Sequence, residues 1–182
     1  DRQRQMCIRD RINLKYSEEY LRKSIRKSYK SIINWGLKEM KIEIFDQNNI
    51  NWEQILSFRE LHMAEAGKET RSIESWKEQY ESIKCGEGFC IIAKLNNQIV
   101  SAAIFLCSDF HCYYCSSASR RDLFDKGISH VIIWQGILKA KSLGALAFET
   151  GISDISFLNS CKTKKEKNIS YKVGKFPFLA NS

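Results

Sequence analysis

The chain of 182 residues contains a single proline, Pro177. It has no low-complexity tract, no internal repeat and no composition shift that would mark a second domain. No apolar run approaches the roughly 20 residues of a membrane span, so no transmembrane segment is read in it. No Ser–His–Asp or Cys–His signature of a nucleophilic enzyme is present. Cys112 and Cys115 form a C-x-x-C pair preceded by His111. They lie in a run with strand character, however, where residues three apart point to opposite faces. A tetrahedral zinc site also needs a second ligand pair, and none stands at a suitable spacing, so no metal site is assigned. Cys85, Cys90, Cys107, Cys112, Cys115 and Cys161 are scattered and sit mostly in apolar runs. They read as small buried hydrophobes in a reducing, cytoplasmic compartment.

What remains is globular in character, with 43% hydrophobic and 12% aromatic residues and a length suited to one domain with a real core. The opening stretch, DRQRQMCIRDR, stands apart: neither a period of 2 nor one of 3.6 can be read in it. Its MCIRDR back-translates to ATG TGT ATA AGA GAC AG, the last codon giving Ser or Arg, and that string resembles the transposon end used to fragment DNA for sequencing. Residues 1–11 are therefore read as a translated sequencing adapter and excluded from fold reasoning. The rest reads as a fragment from a bacterial metagenome, with natural sequence missing upstream of about residue 12.

The formal net charge of +8 is unevenly placed. Residues 15–41 carry eight Lys/Arg against three acids, and residues 162–175 carry six Lys against one Glu. Between them, residues 42–161 carry eleven basic against fifteen acidic residues. An acidic body with two basic ends suggests a phosphate-rich or otherwise anionic partner held at the ends.

Residues 16–40 read as one basic amphipathic helix. Ser17 is its cap, Leu21, Ile25, Tyr29, Ile32, Ile33 and Leu37 form an apolar stripe, and Arg22, Arg26 and Lys30 line a second face. KIEIFD (41–46) is a short strand. Asn51 caps a helix that ends at Gly67, and Ser72 caps the next, whose Glu74 to Glu78 row faces solvent. Two β-rich runs around Asn96-Asn97 signal a hairpin, and FHCYYCSSAS is a third strand. ISHVIIWQGILKAKSLG is a helix ended by Gly144, and ALAFET is a buried strand. That helix is long enough for a parallel crossover, and a mixed sheet covered by helices follows.

This order resembles the GNAT acyltransferase fold, an α/β (α+β sandwich) class with a mixed, mostly antiparallel central sheet flanked by helices. LRKSIRKSYKSIINWG, ELHMAEAGKETRSIESWKEQ, SHVIIWQGILKAKSLGALAFETG and KEKNISYKVGKFPF also resemble the GNAT-like half of FemAB-like proteins. These are the peptidoglycan-bridge aminoacyltransferases and their relatives in polysaccharide gene clusters. The resemblance covers residues 16–180 and makes 12–182 a single GNAT-like domain. It implies transfer of an acyl or aminoacyl group from an activated carrier to an amine of a cell-wall or polysaccharide precursor. It also implies a second GNAT-like lobe upstream and no tightly bound cofactor. The co-substrate is then aminoacyl-tRNA or acyl-coenzyme A.

Coenzyme A users of the fold carry a [Q/R]-x-x-G-x-[G/A] loop whose N–H groups hold the pyrophosphate. Here residues 119–129 have Gly127 as their only glycine, which leaves Arg120, Arg121 and Lys126 to grip phosphates through side chains. The aminoacyl-tRNA branch suits a basic helix. Arg22, Lys23, Arg26, Lys27 and Lys30, with Lys172 and Lys175, form the candidate anion face, and Tyr29, Trp35 and Tyr171 are its few aromatics. This spacing does not separate tRNA from a nucleotide-sugar acceptor. Glu149, at the end of ALAFET, is the candidate proton acceptor, with a pKa raised by partial burial. His130 is a candidate for orienting substrate, and Arg71 for clamping a carboxylate on the acceptor side. Two alternatives stay open: a coenzyme A-dependent N-acetyltransferase and a non-catalytic GNAT-like binding lobe.

Overall fold

In a computed structural model the described residues are 11–150. Residues 1–10 and the Lys-rich stretch 162–175 lie outside them, as do Cys161 and Tyr171. The strands are β1 (Arg11–Asn13), β2 (Lys41–Phe45), β3 (Gly88–Leu95), β4 (Gln98–Cys107), β5 (His111–Ser119) and β6 (Ala147–Glu149). They form one sheet in the order β1-β6-β5-β4-β3-β2. Every neighbouring pair is antiparallel except β5–β6, which is parallel. Short turns make the antiparallel meander. Asn96 and Asn97 both take left-handed φ values, 51° and 63°, as a two-residue hairpin turn requires. The parallel pair needs a crossover, and helix α5 (Ile128–Ser142) supplies it.

The other helices are α1 (Glu18–Ser24), α2 (Lys27–Glu39), α3 (Trp52–Ala66) and α4 (Ile73–Lys84). The caps read in the sequence hold. Ser17 accepts from the Tyr20 N–H, Ser72 from the Ser75 N–H, and Asn51 forms a reciprocal capping box with Gln54. Gly67 ends α3 in the left-handed conformation. The single basic helix expected over residues 16–40 is instead two helices. Ile25 and Arg26 leave the helical region, with ψ near 139° at both. Tertiary contacts explain the break. Ile25 is buried in the core, and the Arg22 guanidinium reaches back to Asn34 of α2 while lying over the Trp134 ring of α5. Leu37, expected in the apolar stripe, is exposed.

The sheet is covered on both faces. One core holds Leu21, Ile25 and Ile33 from α1 and α2 and Val131, Ile132 and Ile137 from α5 against Phe89, Phe105 and Phe148. The other holds Ile55, Phe58, Trp76 and Ile83 from α3 and α4 against Ile92, Ala102 and Ile104. Cys90 and Cys112 are buried as expected, whereas Cys85 is exposed. A bulge gives β5 one extra residue: Phe105 pairs with Tyr114 but Ile104 pairs with Ser116, leaving Cys115 unmatched. Tyr114 accordingly belongs to the α5 side and Ala118 to the α3/α4 side, although strict alternation would put both on one face.

The Phe105 ring is the centre of the first core. It stacks on Phe89 at 4.8 Å and meets Tyr114 at 5.4 Å and Phe148 at 5.9 Å. Gly136 of α5 passes directly over it, and a Cβ there would overlap the ring. Gly136→Ala gains about 1 kcal/mol of helix propensity. The ring has nowhere to go, so overpacking of about 1–3 kcal/mol outweighs that gain. The variant should show a lower Tm and denaturant midpoint than the parent.

Candidate functional site

Helix α5 returns the chain so that His111, Cys112 and Tyr113 pair with Ala147, Phe148 and Glu149. There β6 ends, while β5 runs on to Ser119. Among the described residues no strand lies beside Tyr114–Ser119 on that side. At about 3.3 Å per residue, this edge of β5 extends roughly 20 Å from the level of Glu149 to the loop that follows β5.

Glu149 ends β6 opposite Tyr113, with its side chain mostly buried. Its Oε1 accepts from Arg11 Nη2 at 2.7 Å and Nε at 3.2 Å, and lies 3.4 Å from His111 Nδ1. Burial pushes the carboxyl pKa up, as the sequence reading anticipated. The Arg11 hydrogen bonds and charge, helped by His111, push it down and prevail, so the group lies below the usual glutamate range. The expected rise is therefore not found. Arg11 belongs to the stretch read as adapter, and it is the first of the opposing influences.

At the far end of β5, the segment Arg121–Lys126 forms a short 3-10 turn before α5. Arg120 donates to Asp122 at 3.0 and 2.6 Å and to Gln98 at 3.1 Å, so its charge is already matched. The Arg121 backbone N–H donates to Glu65 of α3 at 2.9 Å, clasping the loop to the opposite side of the sheet. Lys126 lies over the Trp35 ring, 5.6 Å from its centroid. With Ser31 and Ile32 they line an open groove of about 340 Å³ between α2 and the loop. Gly127 is the N-cap of α5 and supplies no side-chain cap. His130 Nδ1 is 3.1 Å from the Gly127 carbonyl, and its ring packs against Tyr29 at 4.1 Å. Burial lowers its pKa, with the Gly127 carbonyl opposing.

Arg71 lies in the α3–α4 connector, half-buried, where its charge acts with burial to lower the pKa of His62. His62 Nδ1 is 3.3 Å from the Thr70 hydroxyl, and the ring packs on Trp76. Arg26 is the N-cap of α2, Lys27 is exposed, and Lys30 donates to the Lys23 carbonyl at 2.8 Å. The helix break therefore separates Arg22 and Lys23 from Lys27 and Lys30, which had been placed on one continuous face. Lys172 and Lys175 lie outside the described residues. The sequence reading did not single out Tyr113 or His62, and took His111 only as a neighbour of the cysteines. The alternation in FHCYYCSSAS puts His111 and Tyr113 on one face, and the parallel pairing then sets Glu149 beside them.

Solved structures with this arrangement are found. FemX matches with a TM-score of 0.61 at 13% identity over 86% of this chain and 54% of FemX. L-PGS from Bacillus licheniformis matches with 0.55 at 13% identity, over 81% of this chain and 46% of that protein. The chain has a GNAT-like acyltransferase fold. It spans about half the length of these two proteins. An aminoglycoside acetyltransferase from an uncultured soil metagenomic sample, in complex with trehalose, matches with 0.50 at 17% identity, over 59% of this chain and 74% of that one. No protein-family model and no curated protein sequence matches the chain. Within the GNAT-like frame, Glu149 stands at the end of β6, paired with Tyr113 of β5, and no helix among the described residues is long and apolar enough to cross a membrane.

The Glu149 interactions have a testable sign. A carboxyl held below its ordinary pKa stabilises the fold above that ordinary value, and the contribution is lost as pH falls through the lowered one. Arg11→Ser, the other residue the truncated codon allows, removes the strongest influence that opposes burial. The Glu149 pKa should rise, measured by carboxyl-carbon NMR titration. An unchanged value would show that His111 and the surrounding backbone set it instead.

Proposed function

We propose that this chain transfers an acyl or aminoacyl group from an activated carrier to an amine on a cell-wall or polysaccharide precursor, acting in the cytoplasm. The observation that carries the reading is the GNAT-like fold with the mostly buried Glu149 carboxylate ending β6 beside β5. The amine nitrogen attacks the carrier-linked carbonyl carbon. Its proton passes to the Glu149 carboxylate, and the carrier leaves with the electron pair of the broken bond. Glu149, held below the usual range, is ionised at neutral pH and is a weaker base than an ordinary glutamate. Direct transfer needs no enzyme nucleophile. Arg71 and the nearby His62 and Thr70 would receive the acceptor, with Arg71 as a carboxylate clamp and His130 setting the start of α5.

The carrier would be held at the loop after β5 and would have to reach roughly 20 Å along the β5 edge to present its carbonyl at Glu149. We favour aminoacyl-tRNA, as the FemAB-like resemblance implies. Arg120 is matched by Asp122, and the Arg121 N–H is taken by Glu65, so the loop is poorly equipped for a pyrophosphate. Lys126 lines the groove at Trp35, and Arg26, Lys27 and Lys30 in the first turn of α2 would widen the contact with an anion, to which Lys172 and Lys175 would add. A second GNAT-like lobe upstream would complete such an enzyme. One observation favours acyl-coenzyme A instead: the N-terminus of α5 has no side-chain cap and lies next to Lys126.

The test is transfer to an amine acceptor from each donor, with parallel binding of tRNA and coenzyme A. Glu149→Gln should slow transfer by about 10²- to 10⁴-fold with little change in donor binding. Arg26→Glu with Lys27→Glu should weaken tRNA binding and flatten its salt dependence. Unchanged tRNA binding at low salt, with tight coenzyme A binding, would replace the first donor by the second. Full activity in both Glu149→Gln and Arg71→Ala would make this a binding lobe.

A further inference from the structure

Cys107 ends β4, and Cys112 is the second residue of β5; the two are directly opposite across the hairpin. The Ser108 N–H donates to the His111 carbonyl at 2.8 Å, which makes 108/111 the hydrogen-bonded pair closing the turn. By the alternation of an antiparallel ladder, 107/112 is a non-hydrogen-bonded pair. Such pairs have Cα atoms about 4.5 Å apart and side chains on the same face, inside the range a disulfide spans. The sulfurs are 3.1 Å apart, and both cysteines are free thiols. The Cys107 N–H donates to the Glu87 carbonyl at 2.7 Å, which holds the end of β4 in this pairing.

The two thiols differ in access. Cys107 is half-exposed, whereas Cys112 is buried in the core beside Phe148 and Phe105. Contact with Cys112 and the charge of Lys139, itself paired with Asp46 at 2.9 Å, favour a thiolate at Cys107 against its burial. Contact with Cys107 and burial keep Cys112 protonated. Cys115 takes no part, since the bulge turns it toward Gln79 of α4 on the other side of the sheet.

We propose that Cys107 and Cys112 are a reversible redox-modification site that takes its disulfide from a low-molecular-weight disulfide. The Cys107 thiolate attacks one sulfur of that reagent, and its other half leaves as a thiolate. Cys112 gives up its proton to the leaving thiolate and attacks the Cys107 sulfur of the mixed disulfide, releasing the second half. Two protein thiols are oxidised to one disulfide, and one small disulfide is reduced to two thiols. This reactivity is independent of the transfer chemistry proposed above.

The experiment treats the full native chain with oxidised glutathione, alkylates the remaining thiols and maps tryptic peptides by mass. The peptide of residues 95–120 holds Cys107, Cys112 and Cys115. It should lose two hydrogens and two alkylation sites, keep the site at Cys115, and recover both on treatment with dithiothreitol. Cys115→Ser should leave the bond intact. Cys112→Ser should trap glutathione on Cys107, and Cys107→Ser should leave Cys112 unmodified. A stable glutathione adduct on Cys107 in the parent chain, a bond to Cys85 or Cys115, or no loss of thiols in this peptide would overturn the proposal. The parent chain alone decides these outcomes, whatever the folding of the variants.

Discussion

The contact of Gly136 with the Phe105 ring fixes how closely the crossover helix lies on the sheet. Phe105 is held by Phe89 from β3, Tyr114 from β5 and Phe148 from β6, so one ring ties together the strands that α5 must span. With the helix at that depth, β6 is delivered alongside His111, Cys112 and Tyr113 of β5. The position of Glu149 follows from that packing. A bulkier residue under the helix would displace the return strand and the carboxylate it carries.

Two opposed influences act on that carboxylate. Burial favours its neutral form, and the basic partners from both flanking strands favour its charge. Arg11 of β1 leads those partners. The Glu65–Arg121 contact is of a different kind. It joins helix α3 to the loop after β5 through a backbone N–H, which no substitution at Arg121 other than proline removes.

Much of this fold was legible because it is written in local chemistry. Ser17, Asn51 and Ser72 announce helix starts, Gly67 a helix end and Asn96-Asn97 a hairpin, and each does what its side chain or φ preference dictates. The break at Ile25-Arg26 was not legible, since neither glycine nor proline marks it and it arises from burial of Ile25 and the reach of Arg22 to Trp134. Strand β1 escaped notice because it is three residues long and begins inside the excluded stretch. At the site, Glu149 could be found from the end of a buried strand. Its partners could not, because His111 and Arg11 approach it only once non-adjacent strands are set in register. The commitment of Arg120 to Asp122 and Gln98 is likewise a folded-state fact, although Asp122 is only two residues away.

The unmatched residue at Cys115 divides β5 into two stretches of opposite parity. Before it, even-numbered side chains serve the α5 layer; after it, they serve the α3/α4 layer. Any comparison of this strand with a homologous one must therefore be made with a one-position offset halfway along. Aligned without that offset, the serines at 116 and 117 exchange roles, and a residue that faces one layer is scored as if it faced the other. The same arithmetic restricts how the strand can evolve. A single-residue deletion at the bulge would restore uniform alternation with both halves still facing their present layers, and substitutions at Cys115 likewise leave both halves in register, whereas a deletion well away from the bulge would turn the residues between the two sites to the opposite layers.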